Sequence, residues 1–421
     1  MEKYFQTAFG LIGKNFLKRP RACVPHTRGC RLRLTNAQKV NGKMNTLQCI
    51  IFTLQCKNLT IASEKIFFNY LEKGLLMNKF AFWNNKGGTG KTSLAFQTIC
   101  TYAQKYPEKR ILVVDLCPQA NLSELLLGGQ SGGGTQRFMK IIHGVDTRKS
   151  IGGYFHKRLS SPFDANNINP NDYIITPYHE ETQHGNNNIA SNIDLICGDP
   201  LIELQTSAMN TLSNTEIPTI NSWEKIIDWL NDLLNATEGM YDQVFIDTNP
   251  SFSIYTQIAL AAADGVIVPV MADDSSRRAF QNVLALLYGI RLPSDVYKQY
   301  TFATKMQSYG KRVPKIKLIV RNRMTQYMGE ASAYNAVLQG INDDLQDAIS
   351  AYPEYFDFNN LEKGTVSIKD FGTTGVVSFA RGCPFINMSS GTLTVNKKRI
   401  VVKREYLDTI QFHIGELVKK I

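Results

Sequence analysis

Residues 81–97 read AFWNNKGGTGKTSLAFQ, and Lys86 to Thr92 hold three glycines, two lysines and two threonines in seven positions. Those types at that spacing suit one chemistry, the holding of a polyphosphate. Glycines let backbone N–H groups approach phosphate oxygens, and the N-terminus of a following helix adds its positive end. In such a loop Gly87, Gly88, Thr89 and Gly90 surround the β- and γ-phosphates, with Ser93 in the first helical turn behind them. Lys91 lies against the phosphate oxygens, and the Thr92 hydroxyl is a ligand for Mg²⁺. The ordinary loop is written G-x-x-x-x-G-K-[ST]. Its first glycine falls at position 85, where this chain has Asn85, followed by the extra Lys86. A second cation near the phosphates would offset charge on a transferred group.

A phosphate loop needs a strand before it and a helix after it. Residues 79–83, KFAFW, are apolar enough for a buried parallel strand. From Lys91 onward Leu94, Ala95, Ile99, Tyr102 and Ala103 follow a helix face. The alternation continues down the chain. RILVVD (110–115) and YDQVFID (241–247) are strands that close on Asp115 and Asp247. An aspartate at the carboxyl end of such a strand is placed to organise a metal shell and a water. NIDLICGDPLIEL (192–204) reads as a strand and turn, and AADGVIVPV (262–270) and KIKLIVRNR (315–323) as strands. SWEKIIDWLNDLL (222–234) and SSRRAFQNVLALLYGI (275–290) read as helices. Strands alternating with helices predict an α/β fold, a mostly parallel sheet with helices on both faces.

The loop Asn85-Lys86-Gly87-Gly88-Thr89-Gly90-Lys91-Thr92 resembles the deviant Walker A loop of the ParA/MinD family of P-loop ATPases, written K-G-G-x-G-K-[ST]. The resemblance runs over about residues 77–421, and is strong at 81–97, 110–127 and 241–271. It implies a P-loop NTPase that uses ATP and Mg²⁺, with Lys86 reaching a partner's nucleotide across an ATP-sandwiched dimer. Lys86, Lys91 and Asp115 take the catalytic roles, and Thr92 and Asp247 the metal. Relatives place the region of Asn322 beside the base, which makes Asn322 a candidate adenine contact. SIKDFGTTGVVSFARGCPF (367–385) resembles the late strand and loop on that side. Weak likeness at 128–190 and 291–365 marks insertions, and the glycines of 128–134, GGQSGGG, predict a flexible loop.

Two departures bear on activity. The family's D-x-D-P-Q element is Asp115-Leu116-Cys117-Pro118-Gln119, so a thiol replaces the second aspartate. A thiol with a pKa of about 8.5 is mostly neutral and a weak acceptor. Placing or activating the water is worth roughly 10²–10⁴ in rate, so the expected hydrolysis is slow. The family's D-T-P-P switch is Asp247-Thr248-Asn249-Pro250, and loss of one proline predicts a freer loop.

The formal net charge is +11, but residues 1–76 hold 13 Lys and Arg against 3 acidic residues. The remainder is close to neutral, so a DNA site there must be a local patch. NKKRIVVKRE (396–405) is the densest basic run, and Lys397, Lys398, Arg399, Lys403 and Arg404 are the candidates, with an ordinary solvated edge as the alternative. Arg277 and Arg278 could serve the same end or a dimer contact. Residues 1–76 read as a basic segment, either disordered or translated upstream sequence: Glu72-Lys73-Gly74 is encoded by a purine run just before Met77, the expected start. Cys23, Cys30, Cys49 and Cys56 lack structural-zinc spacing. Cys100, Cys117, Cys197 and Cys383 are scattered, as reduced cytosolic thiols are. His143, His156, His179 and His184 show no metal-ligand spacing. No apolar run is long enough for a membrane helix. Ile410, Ile414, Leu417, Val418 and Ile421 share a helix face that suits either a packing helix or a membrane-binding tail.

The expected function is an ATP-dependent dimerising switch that partitions or positions plasmid or chromosomal DNA. It would be cytoplasmic, nucleoid-associated in its ATP form, and triggered by a ParB-like activator on the cargo. Two other readings stand beside it: a MinD-like membrane-associated positioning ATPase, and a non-hydrolysing ATP-gated scaffold.

Overall fold

The computed structural model describes residues 77–143, 148–178, 185–271, 273–324 and 332–421. Residues 1–76, with Cys23, Cys30, Cys49 and Cys56, lie outside the described residues, as do His179 and His184. The described chain runs β1 (Asn78–Phe82), α1 (Lys91–Lys105), β2 (Ile111–Asp115), α2 (Asn121–Leu126), α3 (Gly134–Ile142), α4 (Ile151–Ser160), β3 (Ile193–Ile196), α5 (Ile202–Asn214), α6 (Ser222–Ile227), α7 (Trp229–Asn235) and β4 (Gln243–Asp247). It continues through α8 (Ile254–Ala262), β5 (Gly265–Val270), α9 (Asp274–Tyr288), α10 (Phe302–Ser308), β6 (Lys315–Met324), α11 (Ser332–Ala351), α12 (Leu361–Gly364), β7 (Thr365–Lys369), α13 (Gly372–Arg381), β8 (Gly391–Val395), β9 (Lys398–Val402) and α14 (Arg404–Lys419).

Seven strands form one parallel sheet in the order β3-β2-β4-β1-β5-β6-β7. Strand residues alternate between two cores. Ala81, Trp83, Leu112 and Val114 face one, while Phe80, Phe82, Ile111 and Val113 face the other. Helices cover both faces, so the strands read as continuous apolar runs, which is what burial on both sides demands. β1 sits at the centre, flanked by β4 and β5. Its register pairs Phe82 with Asp247, and Asp247 in turn pairs with Asp115 on β2. Both aspartates therefore end their strands beside the point where the glycine loop leaves β1. That is the carboxyl-end crevice in which parallel α/β sheets bind ligands.

The stretch 128–134 corrects one expectation. It is an interlocked turn with Gly128, Gly129 and Gly134 buried. A Cβ on Gly129 would overlap the Phe379 carbonyl at the end of α13, and one on Gly382 would overlap the Gly128 backbone. Ser131 N donates to the Ala380 carbonyl at 2.7 Å. The glycines are there for close backbone approach, which the composition alone does not distinguish from flexibility.

The C-terminal helix α14 lies against α1 and β7. Ile410, Ile414, Leu417 and Val418 are buried, at 0–1% exposure, so the apolar face belongs to the core. Among the described residues no helix is long and apolar enough to cross a membrane.

Candidate functional site

The loop between β1 and α1 is built by its glycines. Gly88 and Gly90 have φ of 75° and 80°, the left-handed region in which a side chain is strained. Gly90 caps α1 in that conformation. A Cβ added to Gly87 or Gly88 meets nothing within 4 Å, whereas one on Gly90 would overlap Asn322 Nδ2. The loop therefore presents an open side over Gly87 and Gly88 and a packed side at Gly90. Asn322, at the end of β6, is 2% exposed, and its Nδ2 donates to the Thr89 carbonyl at 2.8 Å. The amide holds the loop's shape in this geometry.

Lys91, Thr92, Asp115 and Asp247 come together beneath the loop. Thr92 Oγ1 donates to Asp247 Oδ2 at 2.7 Å. Lys91 is 7% exposed, and its Nζ donates to the Lys86 carbonyl at 3.2 Å. Burial lowers its pKa, while the nearby Asp247 pulls the other way. Asp115 is fully buried and accepts from Ser123 N at 2.9 Å, Ser123 Oγ at 2.7 Å and Cys117 N at 3.0 Å. Burial pushes both carboxyls above the ordinary carboxylate range, and for Asp247 the neighbouring Asp115 adds to it. A divalent cation beside such a pair would offset their mutual repulsion. Among the described residues, Asp247 Oδ1 is buried without a hydrogen-bond partner, as are Thr89 Oγ1 and Asn85 Oδ1 on the loop. Buried polar atoms are normally paired, so the loop could hold a phosphate, and Thr92 and Asp247 could hold a divalent cation beside it. Ser93 stands half-buried in the first turn of α1.

Lys86 goes elsewhere. Its Nζ bonds both Asp273 carboxylate oxygens at 2.7 Å and Ser276 Oγ at 3.1 Å. Asp273 also caps α9, accepting from Ser276 N at 2.7 Å. Burial raises the Asp273 pKa, but the hydrogen bonds from Lys86, Ser275 and Ser276 outweigh it and hold the carboxyl at about 2. The DDSS run at 273–276 is a legible helix start. Its pairing with a lysine 187 positions away is not.

Cys117 is 5% exposed, and its Sγ donates to Gln119 Oε1 at 2.7 Å. Burial, then Asp115 and Asp247, push the thiol up, so it stays protonated and is no base. The altered switch corrects a second expectation. Asn249 does not free the loop, because its side chain, 6% exposed, takes over the restraint. Asn249 Nδ2 donates to the Tyr255 hydroxyl, and its Oδ1 accepts from Ser251 Oγ and Thr256 Oγ1, each at 2.9 Å.

The basic run forms a two-stranded hairpin, β8–β9, packed on α13, with Asn396 and Lys397 at its tip in left-handed conformations. Lys397, Lys398, Arg399, Lys403 and Arg404 are exposed. Arg404 lies 3.7 Å from Asp408, and the other four make no ion pair among the described residues. Arg277 is held by Asp344 at 2.8 Å, and Arg278 is exposed.

A parallel sheet of this order, with a glycine loop and two aspartates at its carboxyl edge, defines a P-loop nucleotide-binding protein. Residues 77–296 match the AAA_31 family, described as an AAA domain. The chain belongs to that family and is a ParA/MinD-like P-loop ATPase. It is similar to the chromosome-partitioning ATPase Soj of Thermus thermophilus, 29% identical over 215 residues, 51% of this chain and 63% of that protein. It is also similar to the virulence plasmid ParA family protein pGP5-D of Chlamydia muridarum, 25% identical over 219 residues, 52% of this chain and 65% of that protein. The cell division protein PomZ of Myxococcus xanthus is 26% identical over 194 residues, 46% of each chain. The chain thus spans less than two thirds of the length of these relatives. Among solved structures, apo McdA from Cyanothece covers 81% of this chain and 99% of its own, at 14% identity and a TM-score of 0.49.

Proposed function

We propose that this chain is an ATP-dependent dimerising switch that partitions or positions DNA. One observation carries the reading: the loop's two lysines have separate places. Lys91 is buried beside the aspartates, and Lys86 is half-exposed on Asp273 at the edge of the loop. One lysine serves the chain's own nucleotide. The other has only to leave an ion pair to reach a second copy's nucleotide. Gly87, Gly88, Thr89, Gly90, Thr92 and Ser93 line the phosphates, and Asn322, whose amide bonds the Thr89 carbonyl, is the candidate adenine contact. Mg²⁺, when bound at Thr92 and Asp247, supplies charge to offset the phosphates.

Asp115 orients the water in this reading, with Cys117 unable to help, so turnover is slow until a ParB-like activator bound to the cargo engages. The exposed hairpin, with Lys397, Lys398 and Arg399, and the start of α14, with Lys403 and Arg404, supply phosphate contacts of the sequence-independent kind. The ATP form would then be nucleoid-associated in the cytoplasm. The membrane-associated alternative loses its support, because the apolar face of α14 is in the core. Cys117 favours one second reading, a scaffold that binds ATP without hydrolysing it.

Phosphate release by the full chain with Mg-ATP, with and without DNA, tests the proposal. Turnover that disappears in Lys91→Ala supports the cycling switch. Binding of ATP and a doubled mass by light scattering, without turnover, supports the scaffold. Equal DNA affinity with ATP, ADP and no nucleotide rules out an ATP-gated DNA switch.

A further inference from the structure

The segment from Thr248 to Ser253 joins Asp247 to α8, and side chains set its conformation. Thr248 Oγ1 donates to the Phe82 carbonyl at 2.7 Å, and Trp83 Nε1 donates to the Ser251 carbonyl at 3.4 Å. The buried Asn249 amide is the centre of the arrangement. It accepts from Ser251 and Thr256, and it donates to the Tyr255 hydroxyl. The Tyr255 ring is 1% exposed, yet its hydroxyl donates outward to Glu203 Oε1 at 3.2 Å. Glu203 is exposed in the first turn of α5, between Leu201 and Leu204. A hydrogen-bonded path therefore runs from the residue two past Asp247 to a carboxylate on the surface.

A second path reaches the same place from the other aspartate. Ser123 Oγ donates to Asp115 Oδ2 at 2.7 Å and accepts from Gly198 N at 2.9 Å. Asp199 Oδ1 then accepts from Leu201 N at 2.9 Å. The segment 198–204 is thus a junction tied to Asp115 and to the segment that follows Asp247. Buried polar networks of this kind specify one arrangement when every member is satisfied, and they shift when one is lost.

We infer that Asn249, Tyr255 and Glu203 are positioning residues, a relay that sets the segment behind Asp247 and makes its setting depend on the surface at the start of α5. The inference rests on the reading of Asp247 as the Mg²⁺ residue for its catalytic consequence. The relay itself does not.

Tyr255→Phe keeps the ring and removes the hydroxyl that joins Asn249 to Glu203. Hydrogen exchange of amides 248–253 in the nucleotide-free full chain is expected to rise by about threefold or more, with β1, β2 and β4 unchanged. Glu203→Ala, a surface change that leaves the core intact, is expected to act in the same direction. The double variant is expected to add little to Tyr255→Phe alone, because the two changes break one path. In turnover, kcat falls by roughly threefold or more while KM for ATP stays within about twofold, the pattern of a lost alignment rather than lost binding. Unchanged exchange at 248–253 in Tyr255→Phe, or additive effects of the two changes, would overturn the relay. If the wild-type chain shows no ATP turnover at all, the catalytic reading of the site fails, and the exchange measurements still decide the relay.

Discussion

The glycine loop permits a series in which stability and nucleotide binding separate. Gly90→Ala puts a side chain at φ 80°, which costs roughly 1–2 kcal/mol for a left-handed residue. The same Cβ displaces Asn322 Nδ2 and breaks its 2.8 Å bond to the Thr89 carbonyl. A buried amide left without its partner costs about 1–3 kcal/mol more. Gly90→Ala should therefore lose about 2–5 kcal/mol. Gly88→Ala, at φ 75° but facing open space, pays only the backbone part, roughly 1–2 kcal/mol. Gly87→Ala, without positive φ or close neighbours, should stay within about 0.5 kcal/mol of wild type. Urea unfolding of the nucleotide-free full chain gives this ranking. A fluorescent ATP analogue gives the other half. The Gly87 Cβ enters the open side of the loop, so binding should weaken by at least about tenfold, or 1.4 kcal/mol, with no loss of fold. Wild-type binding by Gly87→Ala would refute the placement of phosphates over Gly87 and Gly88. A stable Gly90→Ala would refute the packing argument.

Cys117→Asp should raise phosphate release about tenfold or more, the lower range of what water placement gives, while lowering nucleotide-free stability because a third carboxyl joins Asp115 and Asp247. An unchanged rate would mean that some other group already places the water. Leu417→Ala, at a fully buried position, should cost about 2–5 kcal/mol in urea unfolding, and a cost near zero would remove α14 from the core. Asp273→Asn should lower stability above pH 4. The Asp273 carboxyl is held at about 2, below the ordinary aspartate value of 3.8. Its contribution is therefore present above pH 3.8 and lost as pH falls toward 2, so the gap to wild type should close over that window in thermal melts. A gap that stays constant with pH would show that the Asp273 charge contributes nothing.

The sequence is most informative where one contiguous stretch determines its own structure. The loop, its strand and its helix lie within residues 78–105, and the runs ending at Asp115 and Asp247 are continuous apolar strands. Their residue types and periods leave little choice. What was not legible depends on partners distant in the chain. The glycines of 128–134 look like a flexible linker until Phe379 and Gly382 are seen against them. Asn249 looks like a lost proline until Tyr255 and Thr256 are seen to hold it. Lys86 is plainly an extra cation, but its rest on Asp273 requires β5 and α9 to be in place.

The central position of β1 sets a timetable for synthesis. Asn84, at the mouth of the loop, is anchored by the Pro269 carbonyl, 185 residues later in the chain. At roughly 5–20 residues per second, a ribosome takes about 10–40 s to cover that distance. For most of that interval Phe80, Phe82 and Trp83 have been made, while β4 and β5, the strands that flank them, have not. Nascent chains halted before residue 270 should accordingly remain open to protease around the loop, and chains released beyond it should become protected. The nucleotide loop is thus expected to be among the last parts of this edge to take shape, although it is the first part of it to be made.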